Sequence, residues 1–178
     1  MSGAGDPPAV VLVGLPGVGK STIGAAVAER LGWAFLDLDR EIERREGRTV
    51  PRIFAESGEA RFRGLEREAT RELVGRRRIV VAAGGGWAAQ PGLVALLRPH
   101  ATIIYLAASP AAVARRLGAG QADRPLLVAG DVVDRLAALL AERAPHYGAA
   151  DHVIDTELID YQGVVDMVTL LATTSGGR

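Results

Sequence analysis

The 178-residue chain contains no cysteine, only one lysine, and no apolar run long enough to cross a membrane. Without cysteine there can be no disulfide and no thiolate metal site, and a reducing compartment is the simplest setting. The three histidines, His100, His146 and His152, have no metal-ligand spacing, so no zinc site is expected. A membrane-spanning helix needs about 20 consecutive apolar residues, and no membrane partner is expected here. Met1 to Pro8 lack the charged-then-apolar plan of a signal peptide, so the chain reads as cytoplasmic. There is also no excess charge of either sign, since Lys+Arg and Asp+Glu each number 21. Nothing draws the molecule as a whole toward nucleic acid, and any anion must be held at a local site.

The scarcity of lysine carries information of its own. Of the 21 basic residues, 20 are arginine and the remaining one is Lys20. Arginine serves wherever a generic positive charge is enough. A lysine kept at one position implies that a compact ammonium is needed there.

What is present alternates between β-rich apolar stretches and amphipathic helical ones, the pattern of an α/β fold with a parallel sheet. Strands are expected at Val10–Val13, Trp33–Leu36, Ile79–Ala82, Thr102–Leu106 and His152–Asp155. Helices are expected over Lys20–Leu31, about Arg40–Glu46, about Val50–Val74 with a break near Gly58, Pro110–Leu117 capped by Ser109, about Val132–Ala144 and about Gln162–Leu171. Gly118 to Leu127 mixes glycine, alanine, charge and proline and reads as a mobile lid; residues 173–178 read as a frayed tail. With no repeat and no linker, residues 1–178 read as one domain, a three-layer α/β/α sandwich around a five-stranded parallel sheet. A monomer is the default expectation.

Gly14-Leu15-Pro16-Gly17-Val18-Gly19-Lys20-Ser21 fits the phosphate-loop pattern G-x-x-x-x-G-K-[ST], with a strand before it and a helix after it. The glycines let several backbone N–H groups converge on one phosphate, and the helix N-terminus adds partial positive charge. Lys20 can reach the outer phosphates of ATP and Ser21 can offer a hydroxyl to Mg²⁺. No second lysine exists to build a guanine-reading Asn-Lys-x-Asp motif or the strand lysine of a protein kinase. A small-molecule kinase or a non-catalytic ATP-binding module remains.

The acceptor side is less local. Asp37-Leu38-Asp39 ends the second strand at the carboxyl edge, where parallel sheets place ligands. Asp37 could hold Mg²⁺ and Asp39 could meet an acceptor hydroxyl; alternatively Asp39 caps a helix starting at Arg40. Gly84-Gly85-Gly86 follows the third strand and either exposes bare backbone to a ligand or forms a plain turn. Arg63 and Glu66 share a helix face, and Arg143 lies near the end of a later helix. Each arginine is either a surface charge or one half of a carboxylate fork. Arg124, in the lid segment, is either exposed or closes over the phosphates.

In order and spacing these segments resemble shikimate kinase over most of the chain. The resemblance is carried by Gly14–Thr22, Asp37-Leu38-Asp39 with Ile42, Gly47 and Thr49, Ile53-Phe54, Gly58-Glu59, and Phe62-Arg63 with Glu66. Gly84-Gly85-Gly86, Arg124-Pro125-Leu126-Leu127 and Arg143–Tyr147 complete it. It implies MgATP-dependent phosphorylation of the 3-hydroxyl of shikimate, on the route to chorismate and the aromatic amino acids. It further implies that Asp39 contacts that hydroxyl, that Arg63 and Arg143 bind the carboxylate, and that the glycine triplet, with Glu66 nearby, lines the pocket. Gly14, Pro16, Gly17, Val18, Gly19, Lys20, Ser21 and Thr22 would hold ATP, Arg116 would stack on adenine, and Arg124 would belong to the lid. Lys20, Asp39 and Arg124 would be the catalytic set, and Ser21 and Asp37 the metal ligands. The chain departs from the family pattern after Asp155-Thr156, where Glu157-Leu158-Ile159-Asp160-Tyr161 offers neither arginine nor proline to the adenine. A related enzyme acting on another cyclic polyol or carbasugar is the alternative, although two carboxylate-reading arginines favour an acid.

Overall fold

The computed structural model describes residues 8–119 and 129–174. Among them, five strands form one parallel sheet: β1 (Ala9–Val13), β2 (Ala34–Asp37), β3 (Ile79–Ala82), β4 (Ala101–Ala107) and β5 (His152–Asp155). Their spatial order is β2-β3-β1-β4-β5. The helices are α1 (Lys20–Leu31), α2 (Leu38–Glu46), α3 (Val50–Arg71), α4 (Leu93–Leu97), α5 (Pro110–Ala119), α6 (Ala129–Tyr147) and α7 (Tyr161–Thr174). Every residue of β1 and β3 is buried, which requires cover on both faces of the sheet and yields the expected three layers. The register is fixed by direct pairings such as Val11 with Val81 on one side of β1 and with Ile103 on the other. Because β1 leads toward β2 while its neighbour β4 leads toward β5, the chain diverges at the carboxyl end of β1, where open parallel sheets bind ligands.

Local chemistry sets the boundaries. Gly32 ends α1 in the left-handed conformation, and the Trp33 N–H donates back to Ala28 O at 2.9 Å. Trp33 therefore belongs to the helix terminus rather than to β2, where the sequence pattern had placed it. Thr49 caps α3, which is interrupted at Gly58 (φ 79°, ψ 165°), as expected for a break there. Ser109 caps the start of α5 through Ala112 N. The α6 helix continues past Ala144, through Pro145, to Tyr147, and α7 includes Thr173 and Thr174, whose hydroxyls donate to Leu170 O. Gly118 and Ala119 lie in α5 and not in a lid; the rest of the lid segment, including Arg124, lies outside the described residues. Two elements had no sequence expectation: a 3₁₀ turn at Trp87–Ala89 and the short α4.

A small satellite core fixes the acceptor-side helices. Ile42 of α2 packs with Ile53, Phe62 and Leu65 of α3, flanked by Val50 and Phe54. Burial of each such side chain contributes about 1.5–3 kcal/mol, so the positions of α2 and α3, and hence of Asp39, Arg63 and Glu66, are held by apolar packing independent of any ligand.

Candidate active site

The loop Gly14–Ser21 joins β1 to α1. Gly14 has φ 145°, and a β-carbon there would stand 2.6 Å from Leu106 O of β4, so only glycine fits. Gly19 is the N-cap of α1 and supplies no side chain to the first turn, which also carries no acidic residue. The first-turn N–H groups are thus left for an anion. Lys20 is buried; its Nζ donates to Gly14 O at 2.8 Å and Leu15 O at 2.9 Å. Burial draws its pKa down to about 8, against the opposing pull of Asp39 and Asp37.

The two aspartates at the end of β2 separate in role. The helix begins at Leu38, and Asp37 is its cap, with Oδ1 accepting from Arg40 N. Asp37 Oδ2 accepts from Ser21 Oγ. Asp39 is therefore not the cap, which removes the structural alternative raised by the sequence. Its Oδ1 is buried and has no partner among the described residues. Burial, reinforced by Asp37, raises its pKa.

Asp39 faces the glycine triplet, and so do three other charged side chains. A β-carbon on Gly84 would lie 2.7 Å from Glu66 Oε1 and 2.8 Å from Asp39 Oδ1. On Gly85 it would lie 2.8 Å from the Pro16 ring of the phosphate loop and 3.1 Å from an Arg143 nitrogen, and on Gly86 2.7 Å from an Arg63 nitrogen. The bare backbone is what allows these groups to converge. Glu66 Oε1, Gln90 Oε1 and Arg143 Nε are, like Asp39 Oδ1, buried without a partner among the described residues. Unpaired buried polar atoms cost about 1–3 kcal/mol each, and those of Asp39, Glu66 and Arg143, whose side chains stand against Gly84 and Gly85, mark a place built to meet a polar ligand. The arrangement offers carboxylate acceptors on one side and guanidinium donors on the other, beside the phosphate loop.

Arg116 lies across the phosphate loop from this pocket. It donates to Val18 O at 3.2 Å, to Thr156 Oγ1 at 2.8 Å and to Thr156 O at 2.9 Å. Thr156 in turn donates to Ala107 O, so the guanidinium is pinned between the loop and the end of β5. Pro16 and Gly17 are exposed on the loop and Thr22 in the first turn of α1, whereas the Val18 side chain is buried and offers only its backbone to a ligand.

Among the described residues no group of three acidic or histidine side chains could by itself hold a metal. A kinase magnesium ion needs less, because phosphates and water complete its shell. The contacting hard oxygens of Ser21 and Asp37, at the start of α1, fit that role.

Three side chains were given no role by the sequence reading. Tyr147 is buried, stacks on Tyr105 with ring centroids 4.8 Å apart, and donates its hydroxyl to Gly85 O at 2.7 Å. Trp87 donates to Thr70 Oγ1 at 2.9 Å, and Gln90 donates to Glu66 Oε2 at 2.5 Å.

Known proteins resemble this chain in sequence and in fold. The sequence matches the family model described as shikimate kinase over residues 16–170. It is 38% identical over 168 residues to a shikimate kinase of Chlorobium limicola, covering 90% of this chain and 84% of the relative. It is 45% identical over 150 residues to one of Mycobacterium avium, covering 84% of each. The fold is similar to that of the Acinetobacter baumannii shikimate kinase solved in complex with shikimate, with TM-score 0.81, 34% identity, and 97% and 96% of the two chains covered. The chain belongs to the shikimate kinase family, whose members are ATP-dependent phosphotransferases.

Proposed function

We propose that this protein transfers the γ-phosphoryl group of ATP to the 3-hydroxyl of shikimate, with Lys20, Asp39 and Arg124 as the catalytic residues. The observation that carries the reading is the pairing around Gly84–Gly86 of two carboxylates, Asp39 and Glu66, with two guanidiniums, Arg63 and Arg143. Two guanidiniums suit a carboxylate, and the carboxylate oxygens suit hydroxyl donors. A small ring bearing both groups answers every member of the set, whereas a neutral polyol would leave the arginines unanswered. The relative from A. baumannii is described in complex with shikimate, which supports an acid bearing hydroxyl groups as the acceptor.

In the proposed reaction, the acceptor hydroxyl oxygen forms a bond to the γ-phosphorus as the bond to the bridging oxygen of ADP breaks. Asp39 Oδ1 orients the hydroxyl and takes its proton; the raised pKa of Asp39 makes it a better acceptor than an exposed carboxylate. Lys20 and the first-turn N–H groups of α1 hold the phosphate oxygens, Arg116 braces the adenine side, and Arg124 neutralises charge as it moves between donor and acceptor. Ser21 and Asp37 would hold Mg²⁺, which when bound neutralises phosphate charge. Positioning is the larger contribution, because a loose phosphoryl transition state needs little push from a base. The reading takes residues 1–178 as one domain acting as a cytoplasmic monomer on small molecules, with neither nucleic acid nor membrane as partner.

Asp39→Asn tests the assignment. It is expected to lower kcat by about 10²–10⁴-fold while the Kd for ATP stays within about twofold. Unchanged turnover would remove Asp39 from the reacting centre.

A further inference from the structure

The four residues that follow Gly86 connect the pocket floor to α3 at two points. Trp87 is fully buried and its indole N–H donates to Thr70 Oγ1 at 2.9 Å; Thr70 in turn donates to Glu66 O at 2.6 Å. One turn on, Gln90, 8% exposed, donates Nε2 to Glu66 Oε2 at 2.5 Å. The turn itself is closed by Trp87 N to Gly84 O at 3.0 Å and Gln90 N to Trp87 O at 3.1 Å. Its place is thus fixed from the triplet on one side and from the helix on the other.

Glu66 Oε2 also accepts from Arg63 Nη1 at 2.6 Å. One oxygen of a wholly buried carboxylate therefore takes two donors, from α3 and from the 3₁₀ turn, while Oε1 is left facing Gly84 beside Asp39 Oδ1. Burial pushes the Glu66 pKa up, and the contacts with Arg63 and Gln90 act against that rise. A carboxylate held in place by a second, uncharged donor is a fixed anchor for Arg63. Without that donor, Glu66 could rotate about its terminal bonds and Arg63 would follow it. Of the other contacts of Arg63, that to Glu59 Oε1 at 3.0–3.1 Å is to an exposed side chain and is a weak restraint. The Phe62 ring, its centroid 5.5 Å from the guanidinium carbon, supports one face of the fork without fixing its direction in that plane.

We propose that Gln90 is a positioning residue for the acceptor site, holding Glu66 so that the Arg63 guanidinium stays aimed at the acceptor carboxylate across Gly86. The inference rests on the reading of Arg63 as a carboxylate-binding arginine and extends it to a side chain that touches neither substrate. The direction of the Gln90 amide follows from its partner: a carboxylate oxygen accepts, so the NH₂ must face Glu66, and Oε1 points away from it.

The test is steady-state kinetics with ATP and shikimate on the full chain, comparing Gln90→Met with Arg63→Ala and with the double variant. Gln90→Met keeps the length of the side chain and removes the donor. It is expected to raise KM for shikimate about tenfold, leave KM for ATP within about twofold, and change kcat by less than about threefold. In the double variant the Gln90 substitution should add less than about twofold to the effect of Arg63→Ala, because both act through one contact. Gln90→Asn is the companion variant; it keeps an amide but withdraws it by one methylene, and should reproduce the rise in shikimate KM. A parallel loss in both KM values and kcat, or fully multiplicative effects with Arg63→Ala, would reduce Gln90 to a packing residue and overturn the inference. Should Arg63→Ala itself leave shikimate KM unchanged, the reading of Arg63 fails instead.

Discussion

Lys20 shows how burial alters a residue whose charge is needed. In the free protein its ammonium lies against two carbonyls of its own loop, and burial holds its pKa near 8 rather than 10.5. A bound polyphosphate supplies the counter-charge that the loop carbonyls cannot, so the complex keeps its proton to higher pH. Affinity for ATP should therefore fall as pH rises through about 8, by up to about tenfold between pH 8 and 9. Calorimetric titration in buffers of different ionisation enthalpy would also register proton uptake on the alkaline side. A flat Kd from pH 7 to 9.5 would contradict the burial argument. For the free fold the sign is opposite: between pH 8 and 10.5 the unfolded chain binds the proton that the folded one has lost, so this residue's contribution to stability rises with pH.

The same scale shows which site residues a sequence can reveal. Lys20 and its glycines are legible because their geometry is written within eight consecutive residues. Asp37 and Asp39 are legible as a pair but not in their division of labour, since a cap at Arg40 could have come from either; only the helix start at Leu38 decides it. Gln90 was not legible at all, because its partner Glu66 lies 24 positions away, and nothing local tells a buried, bonded glutamine from an exposed one.

At the scale of elements, the site is assembled where the end of β3 meets α2, α3 and α6. The triplet after β3 is a wall without side chains, and its neighbours fill the space a methyl would take. Gly84→Ala would push a methyl against Glu66 Oε1 and Asp39 Oδ1, both on packed helices and not at the ends of free surface chains. The expected outcome is at least a hundredfold loss in kcat/KM for shikimate, with ATP affinity kept within about twofold, measured by initial rates and by direct titration. Retained turnover would show that the triplet is a turn and no part of the pocket. Most helices and strands were readable from periodicity and caps. The five-residue α4 was not, since it is too short to show an apolar period, and the end of α6 was misjudged because Pro145 lies inside the helix.

At the scale of the whole molecule, the fold brings the phosphate loop and the pocket around Gly84–Gly86 to one edge of a single sheet. β1 delivers the phosphate loop, while β2 and β3, both on one side of β1, deliver Asp39 and the triplet. Pro16 of the loop packs on Gly85 of the triplet, so donor and acceptor sites share a wall. The α/β alternation was plain in the sequence, and the three layers follow from it. The convergence of Arg63 with Arg143, separated by 80 positions, follows only from the packing of α3 and α6 around the triplet. On the proposed function, this convergence selects a hydroxylated carboxylic acid as phosphoryl acceptor. The direct measurement is coupled ADP release with MgATP and shikimate, quinate, gluconate or no acceptor. Release stimulated by shikimate far above the background without acceptor, and above the other two acids, is the expected result; release that shikimate does not stimulate would rule out that selection.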